Sequence, residues 1–257
     1  MILTRRAALG GVQLDEIHSG IIIRQTNSGA SRQTTQYTSR MGDAGQRMTH
    51  QHWEDLEASV SFAIDVPKTN MAMRRQIFEQ VMAWASRKGW LTYNWMPDRR
   101  LYVDQVVYPG AGDLWQWTDE FTIGFQSHNV PFWQTATPAT ATQTGTSGTV
   151  QITVGGNTES VLDAAFVNSS GAAINTFSIS ANGNQIALSG LGLANGATLR
   201  IHHGTDGLLR IVAGSTSVYD KYTGADDLYV NPGATTVTFS AGGAGTLTVQ
   251  NYGRYVT

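Results

Sequence analysis

Cysteine is missing from all 257 residues. Its absence removes disulfides, thiolate catalysis and cysteine-based zinc sites together. Charge is scarce as well: 14% of the residues are Asp, Glu, Lys or Arg, against roughly 25% in an ordinary soluble domain. The formal net charge is −2, so no electrostatic footprint argues for wrapping nucleic acid or coating a membrane. No apolar run approaches the roughly 20 residues that cross a bilayer as a helix. The sequence holds no Gly-x-Ser-x-Gly elbow, Walker A loop, His-Glu-x-x-His pair or Rossmann fingerprint. Gly190-Leu-Gly192-Leu-Ala-Asn-Gly196 has the wrong spacing for the last of these. Nothing nominates two carboxylates as a glycoside-cleaving pair. The expectation is a protein without catalytic residues, cofactor or metal.

What the chain has is glycine, 28 residues of it, with abundant Thr and Ser, which suits a mainly β protein whose surfaces meet other subunits. Its organising stretch runs from Leu101 to Trp133. The run Leu101–Tyr108 is rich in β-branched and aromatic residues, and Pro109 to Asp113 supplies a turn. Trp115, Trp117, Asp119, Phe121, Ile123 and Phe125 then alternate with polar residues, the period of a half-buried strand with one aromatic face.

Before this stretch, strands are expected in 1–9, in 17–25 around Ile21-Ile22-Ile23, and in 56–66. In the last of these Leu56, Ala58, Val60, Phe62, Ile64 and Val66 share a face. Residues 27–38 read as a loop or long exposed arm that contacts a neighbour, and 41–45 as a turn. A helix is expected over Asn70–Lys88, capped by Thr69 or Asn70 and carrying the stripe Met73, Ile77, Val81 and Trp84. Arg87 and Lys88 would meet its negative end, and Gly89 would stop it in the left-handed region. Arg74 and Arg75 lie near the end where cations are disfavoured, which suggests contact with another surface or a solvated face. A strand at Trp90–Trp95 and a turn at Met96–Arg100 complete a first domain, residues 1–134, of antiparallel β barrel or sheet with one helix at about 70–88.

The Thr/Ala/Gly-rich segment 134–149 marks a boundary, part of which could pair as an edge strand. Beyond it, strand candidates recur about every ten residues: 150–154, 161–167, 176–180, 185–188, 198–202, 208–212, 218–222, 235–240 and 245–250. Residues 135–257 therefore read as a β-sandwich. Three polar clusters are candidate sites. His50 and His52 would share one face of a strand, but two neutral ligands without carboxylates read as exposed histidines. His202-His203 puts one imidazole on each face. Asp226-Asp227 beside Asn231 lacks EF-hand spacing and reads as a solvated turn. The apolar start after Arg5-Arg6 ends at Gln13, too short for an export signal, so synthesis and retention in a cytoplasm are expected until the chain joins something larger.

The order of these features resembles the distal tail protein (Dit) family of long-tailed bacteriophages over nearly the whole chain. The resemblance is carried by Trp117-x-x-Glu120-Phe-Thr-Ile-x-Phe125, by Pro131-Phe-Trp133, and by Val218-Tyr219, Asp227-Leu228 and Asn231-Pro232-Gly233 leading into Val237-Thr-Phe239. It implies a ring-forming first domain and a galectin-like second domain. It further implies a homohexameric ring joining the tail tube protein to the tail-tip hub, with receptor-binding proteins as further partners. DNA would pass through the lumen without specific binding, and the protein would reside in the virion after assembly in the host cytoplasm. Asn27, Arg32, Tyr37, Arg74 and Arg75 are the assembly candidates. The alternative is a carbohydrate-binding adhesin acting through the second domain. All seven tryptophans precede residue 134, leaving Tyr219, Tyr222 and Tyr229 as its candidate sugar contacts.

Overall fold

The computed structural model describes residues 5–38, 47–109 and 119–257. The expected turns at 41–45 and 110–113, with Trp115 and Trp117, lie outside these residues. The chain divides into two compact units, Met1–Trp133 with Val256–Thr257, and Gln134–Tyr255. Both are built from antiparallel strands, and the protein is mainly β as expected.

Unit one contains β1 (Ala7–Leu9), β2 (Val12–Gln13), β3 (Ile21–Asn27), β4 (Gln33–Thr38), β5 (Arg47–Trp53) and β6 (Leu56–Ile64). Helix α1 (Met71–Ala85) follows, then β7 (Gly89–Tyr93), β8 (Met96–Val103), β9 (Gln105–Val107) and β10 (Glu120–Ser127). One sheet runs in the order β3-β6-β10-β9, a second includes β2-β1-β7-β8, and β4-β5 forms a separate two-stranded sheet. Alternation decides which side faces in. Leu56, Ala58, Val60 and Phe62 of β6 and Phe121, Ile123 and Phe125 of β10 are buried. Their register sets Phe62 opposite Phe121, with ring centroids 5.5 Å apart.

Helix α1 lies over this aromatic face because its apolar stripe has the matching shape. Asn70 caps it by accepting the Met73 N–H (3.2 Å). Phe78 meets Phe121 at 5.1 Å, and Trp84 stands edge-on to Phe125 at 5.9 Å. The Trp84 indole donates to the Val12 carbonyl (2.8 Å), so the ring is buried without an orphaned N–H. The helix ends one turn earlier than expected. Arg87 and Lys88 lie beyond it, and Lys88 (φ 55°) enters the left-handed region before Gly89 (φ 108°).

Two further expectations are corrected in this unit. Residues Leu101–Tyr108 do not form one strand. Asp104 breaks the run because its carboxylate accepts the backbone N–H groups of His128 (2.9 Å) and Asn129 (3.2 Å), and β8 and β9 join different sheets. Residues Met96–Arg100 are strand rather than turn: Tyr93 pairs with Met96, so the reversal is Asn94-Trp95. An irregular register between Leu91 and Tyr93 accommodates Pro97, which has no N–H for a regular ladder.

The strand β11 (Trp133–Thr135) spans the division between the units. Unit two then contains β12 (Ala139–Val154), β13 (Ser160–Asn168), β14 (Ile174–Ala181), β15 (Asn184–Leu193), β16 (Thr198–His203) and β17 (Leu209–Ala213). After these come β18 (Thr216–Ser217), β19 (Tyr222–Gly224), β20 (Tyr229–Val230), β21 (Gly233–Asn251) and β22 (Arg254–Tyr255). The two long strands organise it. β21 pairs with β12 along nearly its whole length, while its other edge takes β14 at Val237–Ala241 and β13 at Gly245–Asn251. One curled sheet thus supplies both halves of the sandwich, closing over Phe166, Phe177, Ile179, Phe239 and Leu247.

This explains three departures from the expected strands. The Thr-rich segment 134–149, part of which was expected as an edge strand, is mostly the first half of β12, a longer strand than expected. The candidates at 235–240 and 245–250 are one strand of 19 residues. Its glycines serve close packing rather than a turn, since a Cβ on Gly245 would lie 2.2 Å from Phe166 and one on Gly243 2.7 Å from Ser170. Residues 218–222 are mainly a 3-10 turn at Tyr219–Lys221, not a strand.

Candidate assembly site

The arm expected over residues 27–38 is present, but its outer part is a β-ribbon: β4 pairs with β5 and with no other strand among the described residues. Its base is anchored. The Glu54 N–H donates to the Arg32 carbonyl (2.9 Å), the Thr34 hydroxyl bonds the Glu54 carboxylate, and Trp53 stands edge-on to Phe132 at 5.1 Å. Beside the base lies a polar concavity of about 710 Å³, lined by Asn27, Arg32, His52, Trp53, Glu54 and Glu57 among others. Asn27 and Arg32 are therefore brought together, and Tyr37, 59% exposed, projects from the same ribbon. Asn27 also accepts the Gly29 N–H (3.0 Å), which turns the chain into the arm.

The two helical arginines part company. Arg75 is exposed and pairs with Glu79 at 2.8 Å one turn along. Arg74 is 1% exposed, a correction to its reading as a surface cation. Its guanidinium donates to the carbonyls of Ile64 (3.2 Å) and Val66 (2.7 Å) and approaches Asp119 at 3.4 Å. It fastens the helix to the end of β6 and is not presented to a neighbour.

A histidine that drew no notice in the sequence strengthens the arm base. His128 Nδ1 lies 2.5 Å from Asp104 and Nε2 lies 3.3 Å from Asp55, which also lines the concavity. The bond to Asp104 raises the imidazole above its usual range against a smaller opposing effect of burial. The sheet edges β3 and β9 flank this unit, and Ile22, Val107 and Tyr108 are exposed on or next to them.

In unit two Tyr219 lies in the 3-10 turn, Tyr222 opens β19 and Tyr229 opens β20. Tyr219, 49% exposed, meets Tyr222 with centroids 5.3 Å apart. The Tyr222 hydroxyl donates to the Ala225 carbonyl (2.7 Å), and that of Tyr229 to Asp227 (3.0 Å). Asp227 is not a solvated turn residue either. It lies 2.6 Å from His203 Nε2, while Asp163 lies 2.8 Å from Nδ1 and also accepts the His203 backbone N–H (3.0 Å). Burial alone would lower the His203 pKa. The bonds and charges of the two carboxylates outweigh it and hold the group at about 9. The pair Asp163 and Asp227 was invisible to sequence reading because β13, β16 and the segment before β20 meet only in the folded sheet. Among the described residues no group of three His, Asp or Glu side chains is arranged to hold a metal ion.

The class that emerges is an antiparallel two-unit β protein, with one helix, an anchored ribbon and open sheet edges as its prominent surface features. No protein-family model matches the sequence, and no curated protein is significantly similar to it. Solved structures do match. The SPP1 Dit protein (gp 19.1), a paradigm of the hub adsorption apparatus in phages that infect Gram-positive bacteria, superposes with a TM-score of 0.64 at 12% identity, over 96% of this chain and 98% of that one. A chain of the phage P2 baseplate in its activated conformation with calcium gives 0.45 at 8% identity, covering 98% of each chain. The strontium form of the p2 baseplate gives 0.44 at 9%, covering 95% and 97%. This chain shares the fold of the SPP1 Dit protein over 96% of its length.

Proposed function

We propose that this chain is a structural subunit of a phage tail hub. The observation that carries the reading is the match to SPP1 Dit, which spans almost all of both chains rather than one shared module. Residues 1–134 form the assembly domain and 135–257 the outward domain. Six copies close into a ring through heterologous contacts, in which one surface of a subunit meets a different surface of the next. The β4–β5 ribbon is the natural donor and the concavity at its base, with Asn27 and Arg32, a natural acceptor; Tyr37 and Arg75 lie on exposed contact surfaces. The ring joins a tail tube protein to a tail-tip protein, carries receptor-binding proteins outside, and lets DNA through its lumen. A net charge of −2 suits passage without tight binding. The protein acts by geometry, without chemistry of its own, as part of the virion.

No observation favours the adhesin reading, since the Tyr222 and Tyr229 hydroxyls are held by Ala225 and Asp227. The test of the ring is native mass spectrometry of the full chain. A closed species of about six copies, the ring proposed above, is the expected result. A monomer at every concentration, alone and with its tube protein, contradicts it.

A further inference from the structure

A sheet edge is a row of unpaired N–H and C=O groups, and folded proteins guard such edges with short strands, charges or proline. Unit two guards most of its edges by shortness: β18 has two residues and β19 has three. β12 is the exception. It has 16 residues, and among the described residues β21 is its one partner strand. Its sequence, Ala139-Thr-Ala-Thr-Gln-Thr-Gly-Thr-Ser-Gly-Thr-Val-Gln-Ile-Thr-Val154, contains no charge and no proline. It is rich in β-branched residues, the composition that pairs most readily. One irregularity interrupts it, between Gly145 and Ser147. The run Ala139–Gly145 is regular, and its centre is Thr142.

We propose that this edge is a homotypic interface, on which β12 of a second copy of the chain pairs antiparallel, centred on Thr142. Self-complementarity argues for the copy. About that centre Thr140 faces Thr144 and Thr142 faces itself, all three exposed, and no like charges oppose. The ladder already present shows that such pairs fit: Thr142 opposes Thr248 with hydroxyls 3.5 Å apart, and Thr144 opposes Thr246 at 3.1 Å. A second β12 would extend the same threonine rows by one strand, joining two curled sheets across a two-fold axis. The contact is independent of any ring that unit one makes, because it uses a different surface and a different symmetry.

The cysteine-free chain makes the test direct. Thr142→Cys is oxidised at micromolar concentration and run on a non-reducing gel, beside Thr238→Cys, whose strand has partners on both sides. In parallel, sedimentation compares the native chain with Thr142→Lys, which opposes two cations at the centre of the pairing. The expected results are a crosslinked dimer from Thr142→Cys alone, and a native mass that falls in Thr142→Lys with an unchanged circular dichroism spectrum. Weakening of up to about fivefold is expected from that one like-charge pair, so the comparison is made at a concentration near the dissociation constant of the native pair. Equal masses for native and Thr142→Lys chains, or equal crosslinking of the two cysteine variants, overturns the proposal. A native chain that stays unpaired through β12 while its unit-one ring forms overturns it too, without touching the hub reading.

Discussion

Replacing His203 with Gln should turn a pH-dependent protein into one whose second unit is nearly indifferent to pH between 6 and 9.5. His203 sits between Asp163 and Asp227 with its side chain 10% exposed, so solvent screens little of the interaction. A histidine raised from 6.5 to about 9 on folding contributes about 3 kcal/mol to stability where it is fully protonated. Because the folded pKa is the higher one, that contribution is complete below pH 6.5 and is lost as pH rises through 9. Asp227, whose carboxyl is held low by His203 and Tyr229 against the opposing effect of burial, acts in the other direction, with stability lost as acid protonates it. The window from 6 to 9.5 isolates the histidine. The assay is urea unfolding of the full chain, followed by circular dichroism and by tryptophan fluorescence. All seven tryptophans lie in residues 53–133, so fluorescence reports unit one, and a transition seen by circular dichroism alone belongs to unit two. The native unit-two transition should weaken by about 3 kcal/mol from pH 6 to 9.5. His203→Gln should start about 3 kcal/mol lower at pH 6 and stay flat. Equal pH slopes in the two proteins would refute the reasoning, as would a loss confined to the fluorescence transition.

Arg74→Met leaves the Ile64 and Val66 carbonyls without their buried donor and should cost about 2–4 kcal/mol in the fluorescence-detected transition. Arg75→Met, one residue on and exposed, should change it by less than about 0.5 kcal/mol. Gly245→Ala drives a methyl into Phe166 and should lower the unit-two transition by about 1–3 kcal/mol, measured by circular dichroism. Tyr37→Ala and Arg32→Glu should leave both transitions within about 0.5 kcal/mol of native while reducing the sixfold mass in native mass spectrometry. A fall in stability without a fall in mass would remove those two residues from the interface.

Much of the fold could be read from the residues. Helix α1 announced itself through the Asn70 cap and the Ile77, Val81, Trp84 stripe, and β6 and β10 through strict alternation, because those signals are local. The failures share one cause: the deciding partner was distant in sequence. Arg74 reads as a surface cation until the end of β6 supplies carbonyls to hold it. Residues 241–244 fall between two strand candidates, yet the strand runs through them, with glycine where Ser170 and Phe166 leave no room for a side chain. Residues 134–149 read as a boundary, part of which could pair as an edge strand, and the extent of that strand shows only once β21 lies beside the alternating threonines. At the candidate site, Asn27, Arg32 and Tyr37 lie in the loop that the sequence marks out, whereas His128 gives no signal and His203 reads only as half of the His202-His203 pair, with one imidazole on each face of a strand. Each is defined by two carboxylates, and only the folded sheets bring them within reach.

The most direct test of the hub account is a negative-stain image of the purified full chain, alone and mixed with its tube protein, sorted into class averages. The account predicts a closed sixfold ring with a central opening and six peripheral densities. Averages that show open chains, a different symmetry, or single two-lobed particles in both samples would contradict it.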